Sequence, residues 1–265
     1  MKLLFIGAGN LAESLISGFI RFGNICNKNI YIKEIVPERE KYILKKYRVN
    51  KTAGLADAAG KVNIIVLCVK PKDIESVLLN INKFVNSRQL IISVAAGITT
   101  GYIESYLKKT PVIRIMTNIA VSVQQGMSVI CKGKYATGYH LKQTEKLFNA
   151  VGKASVFPEK LFNSVTAVSG SGPAYIFYIS ELMVKAANRL GIPSQPAEML
   201  VNQVIAGAAK MLIESPDSAE ILRRKVTSPG GTTEQAILNF NKNKLSQILY
   251  AGVSKAQKRA KELTK

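Results

Sequence analysis

Only one histidine, His140, and three cysteines occur among the 265 residues. Cys26, Cys68 and Cys131 lie far apart, form no C-x-x-C pair and, being odd in number, close no disulfide framework. Free thiols of this kind point to a reducing cytoplasm, and no set of metal ligands is expected. Long apolar runs are missing too. The longest nearly unbroken one, Val62–Val69, is far too short to span a bilayer. Met1–Gly9 has the look of a short secretion signal, but Gly7 and Gly9 interrupt its apolar stretch and no small-residue cleavage site follows. No membrane is implied. There is no internal repeat and no low-complexity tract. Acidic residues are scarce, 17 against 37 lysines and arginines, for a net charge of +20. Such an excess raises the question of nucleic acid. The lysines are spread along the chain, however, and aromatic residues do not interleave with them, so no nucleic-acid partner is expected. A positive surface also draws in anionic cofactors and substrates. What remains, with 47% hydrophobic and 20% charged residues, has the composition of a globular protein.

The first part of the chain alternates strand-like and helix-like segments, the pattern of a parallel α/β sheet. Strands are predicted at Lys2–Gly7, Ile30–Ile35, Val62–Val69, Leu90–Val94, Val112–Met116 and Met127–Cys131. Helices are predicted around Leu11–Ile20, Glu38–Tyr47, Asp73–Asn80 and Gly138–Ala150. Beyond Phe157 and Pro158 the period is helical and strand signals fade, which divides the chain into 1–157 and 158–265. Glu198–Ile213 is apolar nearly all round and carries the small residues Ala206, Gly207, Ala208 and Ala209. A helix of that kind must be buried on most sides. A domain of this size can hardly cover it alone, so a second subunit is expected.

Gly7-Ala8-Gly9-Asn10-Leu11-Ala12 directly follows the first strand and opens the first helix. This is a G-x-G-x-x-A turn: Gly7 permits the bend, Gly9 lets a pyrophosphate approach the backbone, and Ala12 keeps helix and strand close. The phosphates then meet free N–H groups and the positive end of the helix dipole. Glu34, at the end of the second strand, is placed to bond ribose hydroxyls. Lys33 or Arg39 could instead meet a 2′-phosphate, so NADH and NADPH both stay open. Val69-Lys70-Pro71 and Ala95-Ala96-Gly97 end two further strands at the edge where ligands collect in such folds.

The helical part contains two glycine-rich segments, Ser169–Tyr175 and Val226–Thr233. The second puts the hydroxyls of Thr227, Ser228 and Thr232 and successive glycine N–H groups ahead of a helix starting near Thr233. That is a cradle for an anion, suited to a carboxylate. His140 sits on a helix in the first domain with nothing to place it near this loop, and reads as a surface residue.

These segments resemble the hallmarks of the pyrroline-5-carboxylate reductase family. Leu222, Val226, Thr227, Ser228, Gly230, Gly231, Thr233, Ala236, Ile237 and Phe240 match its signature, and Ala167–Tyr175 resembles its second hallmark. Gly7–Ala12, Val69–Pro71, Ser93–Thr99, Arg114, Asn118 and Gly126-Met127 fall in the family's order. The resemblance implies a Rossmann domain followed by an all-α dimerisation domain, and hence a homodimer or higher homo-oligomer. It implies reduction of a small imino acid, 1-pyrroline-5-carboxylate, to L-proline by NADPH or NADH. Ser228, Gly230, Gly231, Thr232 and Thr233 would hold the substrate carboxylate and imine nitrogen, with Thr233 at the reacting nitrogen. Asn118 would join Gly7–Ala12, Glu34, Val69–Pro71 and Ala95–Gly97 at the cofactor. Two departures stand out: Met116–Ala120 lacks the prolines usual in this loop, and Glu34-Ile35 stands where many members carry an Asn-Arg pair. A two-domain hydroxyacid dehydrogenase is the nearest enzymatic rival, but the stretch comparable to its lysine and asparagine reads Ile176 and Ile179-Ser180. A regulator that senses nucleotides without turnover is the non-enzymatic one.

Overall fold

The computed structural model describes residues 1–52 and 54–265. In chain order its elements are β1 (Leu3–Ile6), α1 (Asn10–Arg21), β2 (Ile30–Lys33), α2 (Pro37–Tyr47), β3 (Asn50–Lys51), α3 (Leu55–Ala59), β4 (Ile64–Leu67), α4 (Ile74–Ile81), β5 (Leu90–Ser93) and α5 (Thr100–Tyr106). There follow β6 (Val112–Met116), β7 (Gly126–Lys132), α6 (Gly138–Phe148), β8 (Gly152–Val156), α7 (Phe162–Val165), α8 (Gly172–Arg189), α9 (Ser194–Glu214), α10 (Ala219–Lys225), α11 (Thr232–Lys242) and α12 (Leu245–Glu262). Two compact units result: Met1–Ser171 with Ala256–Lys265, and Gly172–Lys255.

The first unit is built on an eight-stranded sheet ordered β3-β2-β1-β4-β5-β6-β7-β8. Order reverses beside β1, which creates the crevice where open α/β sheets bind ligands. Leu3–Ile6, Ile64–Leu67 and Leu90–Ser93 are buried on both faces, as continuous apolar runs in a parallel sheet require. Alternate residues feed two cores. Phe5, Ile32, Val66 and Ile92 pack with Leu15, Ile16 and Phe19 of α1; Leu4, Ile65 and Ile91 pack with Ile74, Leu78 and Ile103 on the other face. Buried Arg114 on β6 is paired with Glu159 at 3.0 Å, and the Glu159 carboxylate also accepts from Thr100 N (2.8 Å) and Oγ1 (2.7 Å). This places the start of α5 against β6.

The predicted strands are present, with one departure from a wholly parallel sheet. β7 runs antiparallel to β6, Met116 opposite Val129. Between them lie only the nine residues 117–125, too few for the crossover a parallel pair needs, and they contain a 3₁₀ turn at Ile119–Val123. β8, parallel to β7 through α6, was not expected from the sequence: Gly152–Val156 is half-exposed and mostly non-aliphatic. The second unit is entirely helical between Gly172 and Lys255. Among the described residues, its only buried hydrophobic side chains are Ala197 and Val201.

Candidate active site

Register brings several of the expected residues to one edge. Ile6 pairs with Leu67 and Leu67 with Ser93, so the loops that follow β1, β4 and β5 leave the sheet side by side. The first holds Gly7–Gly9, the second Val69-Lys70-Pro71, the third Ala95-Ala96-Gly97. Gly7 has φ +88°, and a Cβ there would lie 2.8 Å from Cys68 O; both its conformation and its surroundings exclude a side chain. Gly9 caps α1 with open space where a Cβ would project, and no side chain caps the helix. Ala12 is buried against the sheet. A dinucleotide pyrophosphate fits this arrangement: uncapped first-turn N–H groups, the positive helix end, and clearance above Gly9.

The turn is held by three charged side chains, all of them outside Gly7–Ala12. Glu34 accepts from Ala8 N at 2.6 Å through Oε2, and from Ile35 N (2.8 Å) and Val36 N (3.0 Å) through Oε1. Arg39 Nε donates to Ala8 O at 2.6 Å, and its Nη2 donates to Glu13 Oε2 at 2.5 Å. Ala8 is therefore gripped on both its N–H and its carbonyl. Glu13 also accepts from Lys46 Nζ (2.8 Å) and Tyr47 Oη (3.0 Å). Burial pushes its carboxyl up, but the hydrogen bonds from Lys46, Arg39 and Tyr47 outweigh this and hold it down at about 2. Sequence reading missed Glu13; its signal is an acid one turn into α1, facing the basic helix α2. Arg39, open from the sequence as a partner for a 2′-phosphate, is committed to Glu13 and Ala8.

Asn118 begins the 3₁₀ turn after β6. Its Oδ1 accepts from Ala120 N (3.2 Å) and its Nδ2 donates to Ser169 O (3.2 Å), so the amide ties this loop to the single π-helical turn Thr166–Gly170. Thr117, in the loop that lacks the usual prolines, shares a buried hydrogen bond with Ser128 Oγ at 2.9 Å. That contact holds the loop in place of a rigid ring. His140 is half-buried on α6, where its Nδ1 accepts from Thr137 N (3.0 Å) in a capping box. Burial lowers its pKa.

Within the helical unit, Ser228–Gly231 forms a tight turn closed by Gly231 N donating to Ser228 O at 3.0 Å. Pro229 and Gly230, the latter at φ +74°, occupy the two central positions, as a type II turn demands. Gly231 then caps α11 without a side-chain bond, leaving Thr232 and Thr233 in the first helical turn. Thr227 Oγ1 is turned away, donating to Arg223 O at 2.7 Å. One donor of the expected cradle already has a carboxylate: Gly230 N donates to Glu234 Oε2 at 2.8 Å. The signal was present as a glutamate at the third helical position, the spacing of a capping box. Among the described residues no group of three His, Cys, Asp or Glu could hold a metal ion, and no helix is long and apolar enough to cross a membrane.

Sheet order, switch point and glycine turn together define a dinucleotide-binding α/β protein with a second, all-helical unit. Comparison with known proteins narrows this class. Residues 159–263 match the family model for pyrroline-5-carboxylate reductase dimerisation, and residues 2–97 match that for NADP oxidoreductase coenzyme F420-dependent. A pyrroline-5-carboxylate reductase of Methanosarcina acetivorans is 37% identical over 100% of this chain and 98% of its own length. The structure of a pyrroline-5-carboxylate reductase from Coxiella burnetii superposes with a TM-score of 0.93 at 34% identity, covering 100% of this chain and 98% of that one. A pyrroline carboxylate reductase of Plasmodium falciparum, solved with NADP bound, gives 0.87 at 26% identity, covering 100% and 98%. The chain belongs to the pyrroline-5-carboxylate reductase family.

Proposed function

We infer that this chain reduces 1-pyrroline-5-carboxylate to L-proline with NADPH or NADH, the last step of proline biosynthesis. The observation that carries this reading is the end-to-end likeness to reductases of that name, at 37% and 34% identity. The Ser228–Thr233 turn, with its free helix start, supports it independently. In this reading Gly7–Ala12 hold the pyrophosphate and Glu34 the ribose. Val69–Pro71, Ala95–Gly97 and the loop fixed by Asn118 border the nicotinamide. Bound there, a reduced nicotinamide would supply the hydride that the imine carbon needs. The substrate takes up one proton at nitrogen, so C=N becomes CH–NH.

The residues then divide by task. Ser228, Gly230, Gly231 and Thr232 line the carboxylate, which the reaction leaves unchanged; Gly230 N is given to Glu234 and Gly231 N closes the turn onto Ser228 O, so the donors are Thr232 and Thr233 N–H and the Ser228 hydroxyl. Thr233 faces the nitrogen, where a hydroxyl can donate or accept as charge changes. A cyclic imine arrives protonated without help from a strong enzymic acid, so orientation is the protein's main contribution.

Residues 158–265 form the substrate-binding and dimerisation part of this reading, on the Rossmann portion 1–157. A homodimer or larger homo-oligomer is required by energetics. Phe177 at 65%, Leu190 at 83%, Met199 at 66% and Tyr250 at 77% are exposed in the single chain. Apolar area on that scale calls for a partner surface. Three free thiols suit the cytoplasm. The test is cofactor consumption with pyrroline-5-carboxylate, set against the six-membered imine analogue; turnover with neither would overturn the assignment.

A further inference from the structure

The loop after β5 is bordered by the chain's own last residues. Lys265 N donates to Gly97 O at 2.8 Å, and Lys265 O accepts from Thr99 N (3.2 Å) and from Thr99 Oγ1 (2.8 Å). The two backbone bonds straddle Ile98, the pattern of a one-pair parallel bridge. Gly97 faces the same segment: its φ is +74°, and a Cβ there would stand 2.5 Å from Leu263 O. The smallness of Gly97 is used on this side by the C-terminal segment. That segment is itself anchored, Thr264 Oγ1 lying 2.9 Å from Asn163 Oδ1 and Gln257 Nε2 donating to Ser164 Oγ at 2.6 Å.

The place of this contact matters because of strand order. With Glu34 at the end of β2 and the phosphate turn at the end of β1, a dinucleotide continues over β4 and β5. Its nicotinamide half then meets Ala95-Ala96-Gly97. These three residues have no side chain beyond a methyl with which to fix the loop. Its shape depends on backbone bonds and on Ser93 Oγ, which accepts from Ala95 N at 3.3 Å. The C-terminal segment provides two of the backbone bonds and a hydroxyl contact.

We propose that Leu263–Lys265 position the Ala95–Thr99 loop for the nicotinamide half of the cofactor. The segment touches no substrate; it acts through the loop. This rests on the dinucleotide reading given above, and the test separates the two. Three variants of the full chain serve: truncation after Glu262, which removes the segment and leaves the Thr99 cap of α5 on Tyr102 N in place; Thr99→Val, which loses both the hydroxyl contact to Lys265 O and that cap; and Thr99→Ser, which keeps both. Each is titrated with NADH and with ADP-ribose, which has the adenosine and pyrophosphate but no nicotinamide. Truncation should weaken NADH binding on the order of tenfold, the scale of two lost hydrogen bonds, and leave ADP-ribose within about twofold. Thr99→Val should weaken NADH alone by a few-fold, about half that effect on a logarithmic scale, and Thr99→Ser should restore it. Unchanged NADH affinity in both truncation and Thr99→Val overturns the proposal. So does equal loss of both ligands in Thr99→Val, which decides the matter even if the truncated chain fails to fold. If the unaltered chain binds neither ligand, the dinucleotide reading itself falls.

Discussion

A hydroxyl that donates and accepts suits a nitrogen that passes from planar iminium to pyramidal amine, and Thr233 sits in the first turn of a helix whose start is free. Thr233→Ala should lower kcat by about ten- to a thousandfold, the scale of losing one positioned donor. Ser228→Ala should mainly raise KM for the imine, because the carboxylate it holds is the same in ground and transition state. Steady-state kinetics on the two variants check both outcomes, and wild-type kcat in Thr233→Ala would remove it from the chemistry. Glu34 makes a second case. A carboxylate has about four lone-pair sites, and three backbone N–H groups take all but one of them. The remaining site suits a ribose hydroxyl and repels a 2′-phosphate, while Arg39 is held away by Glu13. NADH should therefore serve at least as well as NADPH. Glu34→Ala should shift the kcat/KM ratio toward NADPH by on the order of tenfold. An unmoved ratio would show that selection lies elsewhere.

At the level of elements, α1 and α2 are joined through one carboxylate. Glu13 has a folded-state pKa of about 2 against an ordinary 4.5, so it binds fewer protons folded than unfolded between those values. The stability it contributes is present above about 4.5 and is lost as pH falls toward 2. Thermal melting from pH 6 to pH 2 should show that loss, and Glu13→Gln should flatten the curve in that window; an unaltered acid limb in the variant would contradict the assignment. The pairing of these helices was not legible in the sequence, since it depends on which faces meet after folding; Glu234 stands at the spacing of a capping box, but its bond to Gly230 N does not follow from that spacing. The phosphate turn was legible because glycine at fixed spacing has one steric meaning between a strand and a helix. Strands buried on both faces, such as Ile64–Leu67, announced themselves as unbroken apolar runs. β8 did not: at the sheet edge it needs little apolar surface. α5 was overlooked because its pattern is short and its start depends on the Thr99 cap. The Ser228–Thr233 cradle was legible as an anion site; that one of its donors already carries Glu234 became clear only from geometry.

For the molecule as a whole, the contrast between its two units is the governing fact. The Rossmann unit buries its apolar strands on both faces, whereas the helical unit leaves most of its large hydrophobic side chains exposed. Glu198–Ile213 already pointed this way in the sequence, as a helix too apolar to stand at a surface. Light scattering at micromolar concentration should find a dimer or a multiple of it, and a stable, active monomer would contradict the account. The most direct measurement follows the oxidation of NADH and of NADPH by the purified chain with pyrroline-5-carboxylate. The expected result is consumption of cofactor with stoichiometric appearance of L-proline, faster than with the six-membered imine. No consumption with either cofactor, from a chain that binds both, would contradict it.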